Sequence, residues 1–461
     1  MAEKSVYEAK EDEDLETLYE QLKNGDIEER MDSAKTLGVL GYEESREHLI
    51  GALEDDSALV RANTALALGQ IGGDEVVDHL LDALKDESWE VRHDAVIALG
   101  EVGGEKAVKG LAGLLEEEDE FEIKEKTIYS LGKIGDKEAV KVLEGFIGEE
   151  ELHQTLARSL CSIDDQVAEE PLIKLFEEGE RDTRMIVVEG LGGMERSDVI
   201  LNTLYKGLKD DIWRVREESA KALGRLGDED AVENILDLLD DENSYVVEAS
   251  LKSLGKLGDV SVVDELSEKL DDREASIRIA SAEALGEIGE EDAVDQLLGR
   301  LEVEDNPRVL WSISDALSEC DEGSADRLKE KMEEQVDERK YALAVAMGKL
   351  GDKKCIASLL DGLKDNRWKI RQKSVEGFEN LDLNQVSKKD RRSVLSNLRE
   401  KLEDDDKWVR ERSVKVLYKK ISELEEEHDV EKEKGSLKER EKIETDPDVR
   451  DALEDVVKEM E

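Results

Sequence analysis

One dipeptide recurs along this chain at a nearly fixed interval. Leu-Gly stands at 37–38, 68–69, 99–100, 131–132, 191–192, 223–224, 254–255 and 285–286, with Met347-Gly348 a close variant. Successive glycines from 38 to 132 are 31, 31 and 32 residues apart, and those from 192 to 286 are 32, 31 and 31 apart. A period of this length means one supersecondary unit repeated in an array, which limits the possible folds more than composition can. The 60 residues between 132 and 192 leave room for one degenerate copy with Cys161 at the glycine position. Ser318 fills that position between 286 and 348, and Glu379 and Tyr418 mark two further eroded copies. The chain reads as about thirteen units.

Each unit carries two helical segments. In the third, VVDHLLDALKD reads as a first helix, Glu87-Ser88 as a turn with Ser88 as N-cap, and Trp89 to Val102 as a second helix. Val91, Ala95, Ala98, Leu99 and Val102 share one face of it at the 3.6-residue period. Gly100, inside that helix, costs about 1 kcal/mol relative to alanine, and the expected compensation is the close approach of a neighbouring helix. Gly103, like Gly41, Gly72, Gly135, Gly227, Gly258, Gly289 and Gly351, suits the left-handed residue just past a helix end. Two helices cannot bury such a stripe alone, so the units must stack into a solenoid.

DESWEVRHDAVIALGEVG (Asp86 to Gly103) and DDIWRVREESAKALGRLG (Asp210 to Gly227) approach the pattern Asp-x-x-Trp-x-Val-Arg-x-x-Ala-x-x-Ala-Leu-Gly-x-Ile-Gly. In this they resemble HEAT repeats, and their short period resembles the compact HEAT-like subtype seen in phycobilisome lyase subunits. The resemblance covers residues 14–422. It implies an all-α fold, an α-solenoid in the form of a right-handed superhelix, whose second helices line the concave face. Residues 1–13 read as an acidic N-terminal tail, and residues 423–461 as a charged helical extension ending in a capping half-repeat, DPDVRDALEDVVKEM.

A second ladder runs beside the glycines. Eight residues before the inner glycine comes a base, including Arg61, Arg92, Arg216, Arg278, Arg371 and Arg410. Six residues before each of these stands an acid: Asp55, Asp86, Asp210, Asp272, Asp365 and Asp404. A base near the start of a helix is disfavoured by the helix dipole unless a carboxylate in the preceding turn compensates it. The ladder is therefore expected to be structural, an intramolecular network that links repeats.

Composition narrows the function. With 121 Asp and Glu against 66 Lys and Arg, the chain carries −55. Self-repulsion on this scale is screened in molar salt, where the Debye length is about 3 Å. A cytoplasmic protein of a salt-accumulating, halophilic microbe is expected, although lysine outnumbers arginine. The charge opposes general nucleic-acid binding. No apolar run approaches the length of a membrane span, and the N-terminus lacks the apolar core of a signal peptide. Cys161, Cys320 and Cys355 are isolated thiols without CxxC spacing.

No catalytic motif stands out. The histidines at 48, 79, 93, 153 and 428 are scattered and lack the His-Glu dipeptides of the deoxyhypusine hydroxylase family, which shares this architecture. His79 and His93 could approach each other but have no third ligand. No cofactor or metal is expected, and the leading expectation is a non-enzymatic, monomeric scaffold for a protein partner. The rival class is an enzyme subunit of the chromophore-lyase type.

Two surfaces are candidate sites. Just after the ladder base most repeats carry a small or polar residue, whereas Met185, Ile279, Trp311 and Tyr341 are large and apolar; the last three, in successive repeats, would form a concave partner patch. The stretch 383–420 holds twelve bases against seven acids. Its Lys388, Lys389, Arg391, Arg392, Arg412, Lys415, Lys419 and Lys420 could dock an acidic partner or a phosphate backbone, the second alternative being nucleic-acid binding, unless they are spent on internal pairs.

Overall fold

In the computed structural model, residues 15–163, 165–320, 324–424 and 427–460 are described. The expected N-terminal tail lies outside them. Every regular element among them is a helix, and the helices alternate in antiparallel pairs as an α-solenoid. Two units divide the chain, 1–226 and 227–461. Each contains seven helix pairs among the described residues. The second helices used below are α1 (Ala58–Ile71), α2 (Trp89–Val102), α3 (Phe121–Ile134), α4 (Ala275–Ile288), α5 (Pro307–Leu317), α6 (Glu338–Lys349), α7 (Trp368–Glu376) and α8 (Lys407–Ser422).

The inner glycines are where one second helix rests on the next. A Cβ placed on Gly69 of α1 would lie 2.6 Å from Ala98 Cα of α2, and one on Gly100 would lie 2.8 Å from Ser130 Cβ of α3. The same overlap joins Gly38 to Ala67, Gly132 to Ser159 and Gly286 to Ala316. The receiving residue is always small and stands two positions before the next inner glycine position. Removing a side chain here lets backbones meet, and the packing gained offsets the helical cost of glycine. Where Cys161 replaces the glycine, the opposite residue has become Gly190, and a Cβ there would lie 2.0 Å from Cys161 Sγ. The missing volume has changed sides. The eight glycines expected past helix ends have φ between 64° and 81°, in the left-handed region.

The ladder links repeats by a register different from the expected one. Arg61 donates from Nε and Nη2 to Asp86 of the following repeat at 2.7 and 2.8 Å, while its Nη1 donates to the backbone carbonyl of Asp55 at 2.9 Å. The acid six residues upstream thus offers its carbonyl, and its carboxylate serves the repeat before. Arg92 pairs with Glu118, Arg278 with Glu304, Arg371 with Asp404 and Arg410 with Glu444 in the same way. Their Nη1 atoms donate to the carbonyls of Asp86, Asp272, Asp365 and Asp404, and that of Arg216 donates to Asp210. Each ladder carboxylate also accepts the amide two residues on, as Asp86 does from Ser88 at 2.8 Å, which fixes the turn into the second helix. A fork of guanidinium donors satisfies two repeats at once.

The last link shows what the C-terminal segment is. Glu444 has a fully buried side chain and takes Arg410 at 3.1 Å and Arg440 at 2.6 Å, while its carboxylate caps the turn before Pro447–Glu459. The segment expected as a half-repeat is a full helix pair, Glu427–Glu441 and Pro447–Glu459, in ladder register.

Gly190→Ala lowers the unfolding midpoint, by about 1–3 kcal/mol in stability, and Cys161→Gly restores it; a double-mutant cycle by thermal denaturation checks this, and simple additivity would contradict it. Burial alone would raise the Glu304 carboxyl, but hydrogen bonds from Arg278, the Asn306 amide and Arg300 hold it at about 2; Glu444 is likewise held at about 2. A depressed carboxylate stabilises the fold above its unfolded value, near 4.5, and that contribution, on the order of 3 kcal/mol each, is lost as pH falls toward 2. Glu304→Gln should be less stable at neutral pH and show a shallower loss between pH 4.5 and 2, measured by circular dichroism.

Candidate functional site

In the second unit the regular stacking is interrupted at α6. Residues Ala342 to Gly348 form one buried run of small and apolar side chains. A Cβ on Gly348 would lie 2.0 Å from the carbonyl oxygen of Gly377, so the chain leaving α7 presses onto α6. With α6 reduced to this thickness, side chains of its two neighbours meet across it. Lys373 of α7 reaches Asp315 of α5 at 3.3 Å, and Lys349 of α6 bridges Asp315 and Glu376, both at 2.7 Å. Burial would lower the Lys349 ammonium, but its two carboxylates hold it above the ordinary value. Beneath this network Trp311 donates its indole N–H to Glu338 at 3.1 Å, and Lys373 Nζ stands 5.8 Å from the ring centroid.

The result is a cleft of about 600 Å³ on the second-helix face, walled by α4, α5 and α7. Its apolar floor consists of Ile279, Pro307, Trp311 and Ala316. Arg308 and Lys369 stand at the end where these helices begin, and Glu283, Glu287 and Glu319 line the other end.

This arrangement redistributes the expected patch. Ile279 is half-buried and lines the cleft. Trp311 is only 5% exposed, so it is a floor and not an anchor offered to solvent. Tyr341 turns to the other side: its hydroxyl donates to Asp361 at 3.2 Å, and a Cβ on Gly362 would lie 3.1 Å from its ring. Its neighbour thus belongs to a first helix, and the three residues do not form one patch. Met185 lies in the first unit, half-buried on Arg181–Leu191. Sequence reasoning missed Asp315, Lys369 and Lys373, since a contact 58 residues apart does not follow the repeat. The unbroken small-residue run of α6 was the available signal.

The basic stretch is spent inside the fold in part, while Lys388, Lys389, Arg392 and Lys415 stay exposed. Arg391 and Lys420 are buried, donating to the carbonyls of Leu383 at 2.8 Å and Leu381 at 2.9 Å, and so leave the docking patch expected of them. Arg412 pairs with Glu379, Lys415 with Glu411 at 2.6 Å, and Lys419 with Asn380 at 3.3 Å. Lys388 and Arg392 are also engaged. The histidines whose side chains are described are dispersed: His48 stacks on Tyr19, His93 meets Asp94 at 2.9 Å, the buried His153 meets the Ile147 carbonyl at 2.6 Å, and His79 is exposed. His428 lies outside the described side chains. Burial pushes the Cys161 and Cys355 thiols up to about 12, so neither is a ready nucleophile.

A family model for HEAT repeats matches residues 15–88, 77–161, 169–254, 201–272, 232–318 and 263–348. The chain belongs to the HEAT-repeat family. No curated protein matches it. Among solved structures this HEAT-repeat chain is similar to Kap95 in a Kap95:Nup1 complex, with a TM-score of 0.60 and 14% identity over 97% of this chain and 71% of that one. It is also similar to yeast importin-β (Kap95p), TM-score 0.54, 14% identity, 97% and 71% covered. A Kap121p mutant gives a TM-score of 0.58 at 11% identity, over 96% of this chain and 64% of that one. At such identities the likeness shows the fold alone.

Proposed function

We propose that this HEAT-repeat protein is a non-enzymatic, monomeric scaffold that binds a protein partner on the second-helix face around residues 275–376. The cleft floored by Trp311 carries this reading, because it is a three-walled concavity with a small apolar floor and charges at both ends. The similar karyopherin folds support it by analogy, one of them solved in a complex with Nup1. A lyase-type enzyme would need polar groups converging on a substrate, and the cleft's Lys373 and Asp315 are already bound to each other. Nucleic-acid binding through 383–420 is less favoured, because Arg391, Lys420 and Arg412 are taken by internal partners and the chain carries −55.

The test is affinity capture from lysate of the source organism in 1 M KCl, comparing wild type with Arg308→Glu/Lys369→Glu, both exposed at the cleft's basic end. A specific protein retained by wild type and lost from the variant is expected. Identical captured sets, or a chromophore co-purifying with both, would contradict the proposal.

We propose also that the protein works in a salt-rich cytoplasm. At −55 the surface repels itself, whereas the ladder pairs are shielded from screening by burial. Raising KCl from 0.1 to 1 M should therefore increase the thermal midpoint by several degrees; a fall would show that salt weakens the ladder more than it relieves repulsion.

A further inference from the structure

The turns into the second helices carry a row of large apolar side chains that the fold leaves uncovered. Four successive repeats of the first unit place one there: Ile27 is 51% exposed, Leu59 55%, Trp89 47% and Phe121 43%. Single exposed apolar residues are ordinary, whereas one at the same point of each neighbouring repeat makes a continuous edge. The last two add a ring face to it. Trp89 opens α2 and Phe121 opens α3, and these helices pack on each other through Gly100 and Ser130. The Trp89 ring meets His93 edge to face at a centroid distance of 6.3 Å, a contact that leaves nearly half of the residue uncovered.

Tryptophans at the same point of other repeats have different company. Arg214 lies 5.2 Å from the ring centroid of Trp213, Lys369 5.3 Å from that of Trp368, and Lys407 4.7 Å from that of Trp408. In each case a cation adjacent in sequence stands over the ring. The residue after Trp89 is instead Glu90, and the residue after Phe121 is Glu122; no cation stands over either ring among the described residues. The turn around Phe121 reads EEEDEFE from 116 to 122, without a base. Glu118 there is taken by Arg92, but Asp119, Glu120 and Glu122 are exposed. Lys85, in the turn before Trp89, pairs with Asp82 at 3.8 Å. These two rings thus have surroundings that favour a cation and lack the one that their counterparts carry.

We propose that the edge formed by Trp89 and Phe121 binds an extended segment of a protein with arginine or lysine at every third residue, one cation over each ring and beside Glu90 and Glu122. The spacing follows from the repeat. Packed helices lie about 8–10 Å apart, and three residues of extended chain span about 10 Å, so successive cations of such a segment reach successive rings. The apolar stem of each side chain lies along the edge while its head meets the ring face and the carboxylate. Ile27 and Leu59 continue the apolar edge but offer no ring to a cation. This surface belongs to the first unit and the Trp311 cleft to the second, so the inference goes beyond the scaffold reading and does not depend on it.

The test uses the full chain and a fluorescein-labelled peptide of repeated Arg-Gly-Ser, followed by anisotropy in 0.5 M KCl, where long-range attraction is screened to a few Å. Trp89→Leu/Phe121→Leu keeps the net charge and puts at both exposed positions the residue that Leu59 supplies one repeat earlier, so folding and the general attraction of an acidic surface are preserved. It should weaken binding about fivefold or more, because two ring faces are lost. Ile27→Ala/Leu59→Ala should change binding less than twofold, and a peptide with citrulline in place of every arginine, which keeps the shape and removes the charge, should not bind. Equal affinity of wild type and the leucine variant, equal weakening by both pairs, retention of the citrulline peptide, or no binding by wild type would overturn the inference. None of these results bears on the cleft, whose lysate capture is read at Arg308 and Lys369.

Discussion

The contact between an inner glycine and the small residue of the next second helix sets the spacing on which everything else is built. With backbones this close, the guanidinium of one repeat reaches both a carbonyl of its own turn and a carboxylate of the next, as Arg61 does with Asp55 and Asp86. At a wider spacing the fork would span one partner only. The ladder in turn fixes each turn, because the paired carboxylate also caps the backbone amide two residues on. Packing and electrostatics are therefore one device repeated along each unit. Its exchange of sides at Cys161 and Gly190 shows that the requirement is on total volume at the contact and not on glycine at one position.

The same spacing rule explains the cleft. At Gly348 the opposing residue is Gly377, smaller than the alanine or serine used elsewhere, and α6 is lined with alanines. Closer packing there lets α5 and α7 meet through Asp315 and Lys373, and this bridge supplies the third wall. A deviation in packing has thus produced a concavity in the second unit.

Much of the fold was legible in the sequence. The 31-residue recurrence gave the pairs, and the glycines after helix ends all have the positive φ expected of them, Gly72 and Gly103 with an extended ψ in place of the left-handed helical one. Acid and base were recognised as a ladder, but their partners were not, because a spacing of six within a repeat says nothing about which neighbour the side chains face. The partner patch was misread for a similar reason. One large residue per repeat at equivalent positions looks contiguous in sequence, whereas Trp311 points into the floor and Tyr341 toward a first helix once α6 sinks. Two of the bases expected at the surface are buried because charge is counted without geometry: the Lys420 ammonium is taken by the Leu381 carbonyl and the Glu423 carboxylate.

The most direct measurement of the central claim, that the second-helix face around the Trp311 cleft is the partner site, is photo-crosslinking in the source organism's lysate. A benzophenone amino acid would be placed at Lys369, at the cleft mouth, and in a second sample at Glu54, in an exposed turn of the first unit. The account predicts a discrete protein adduct from position 369 that is absent from position 54. Adducts of equal yield at both positions, or none at 369, would contradict it.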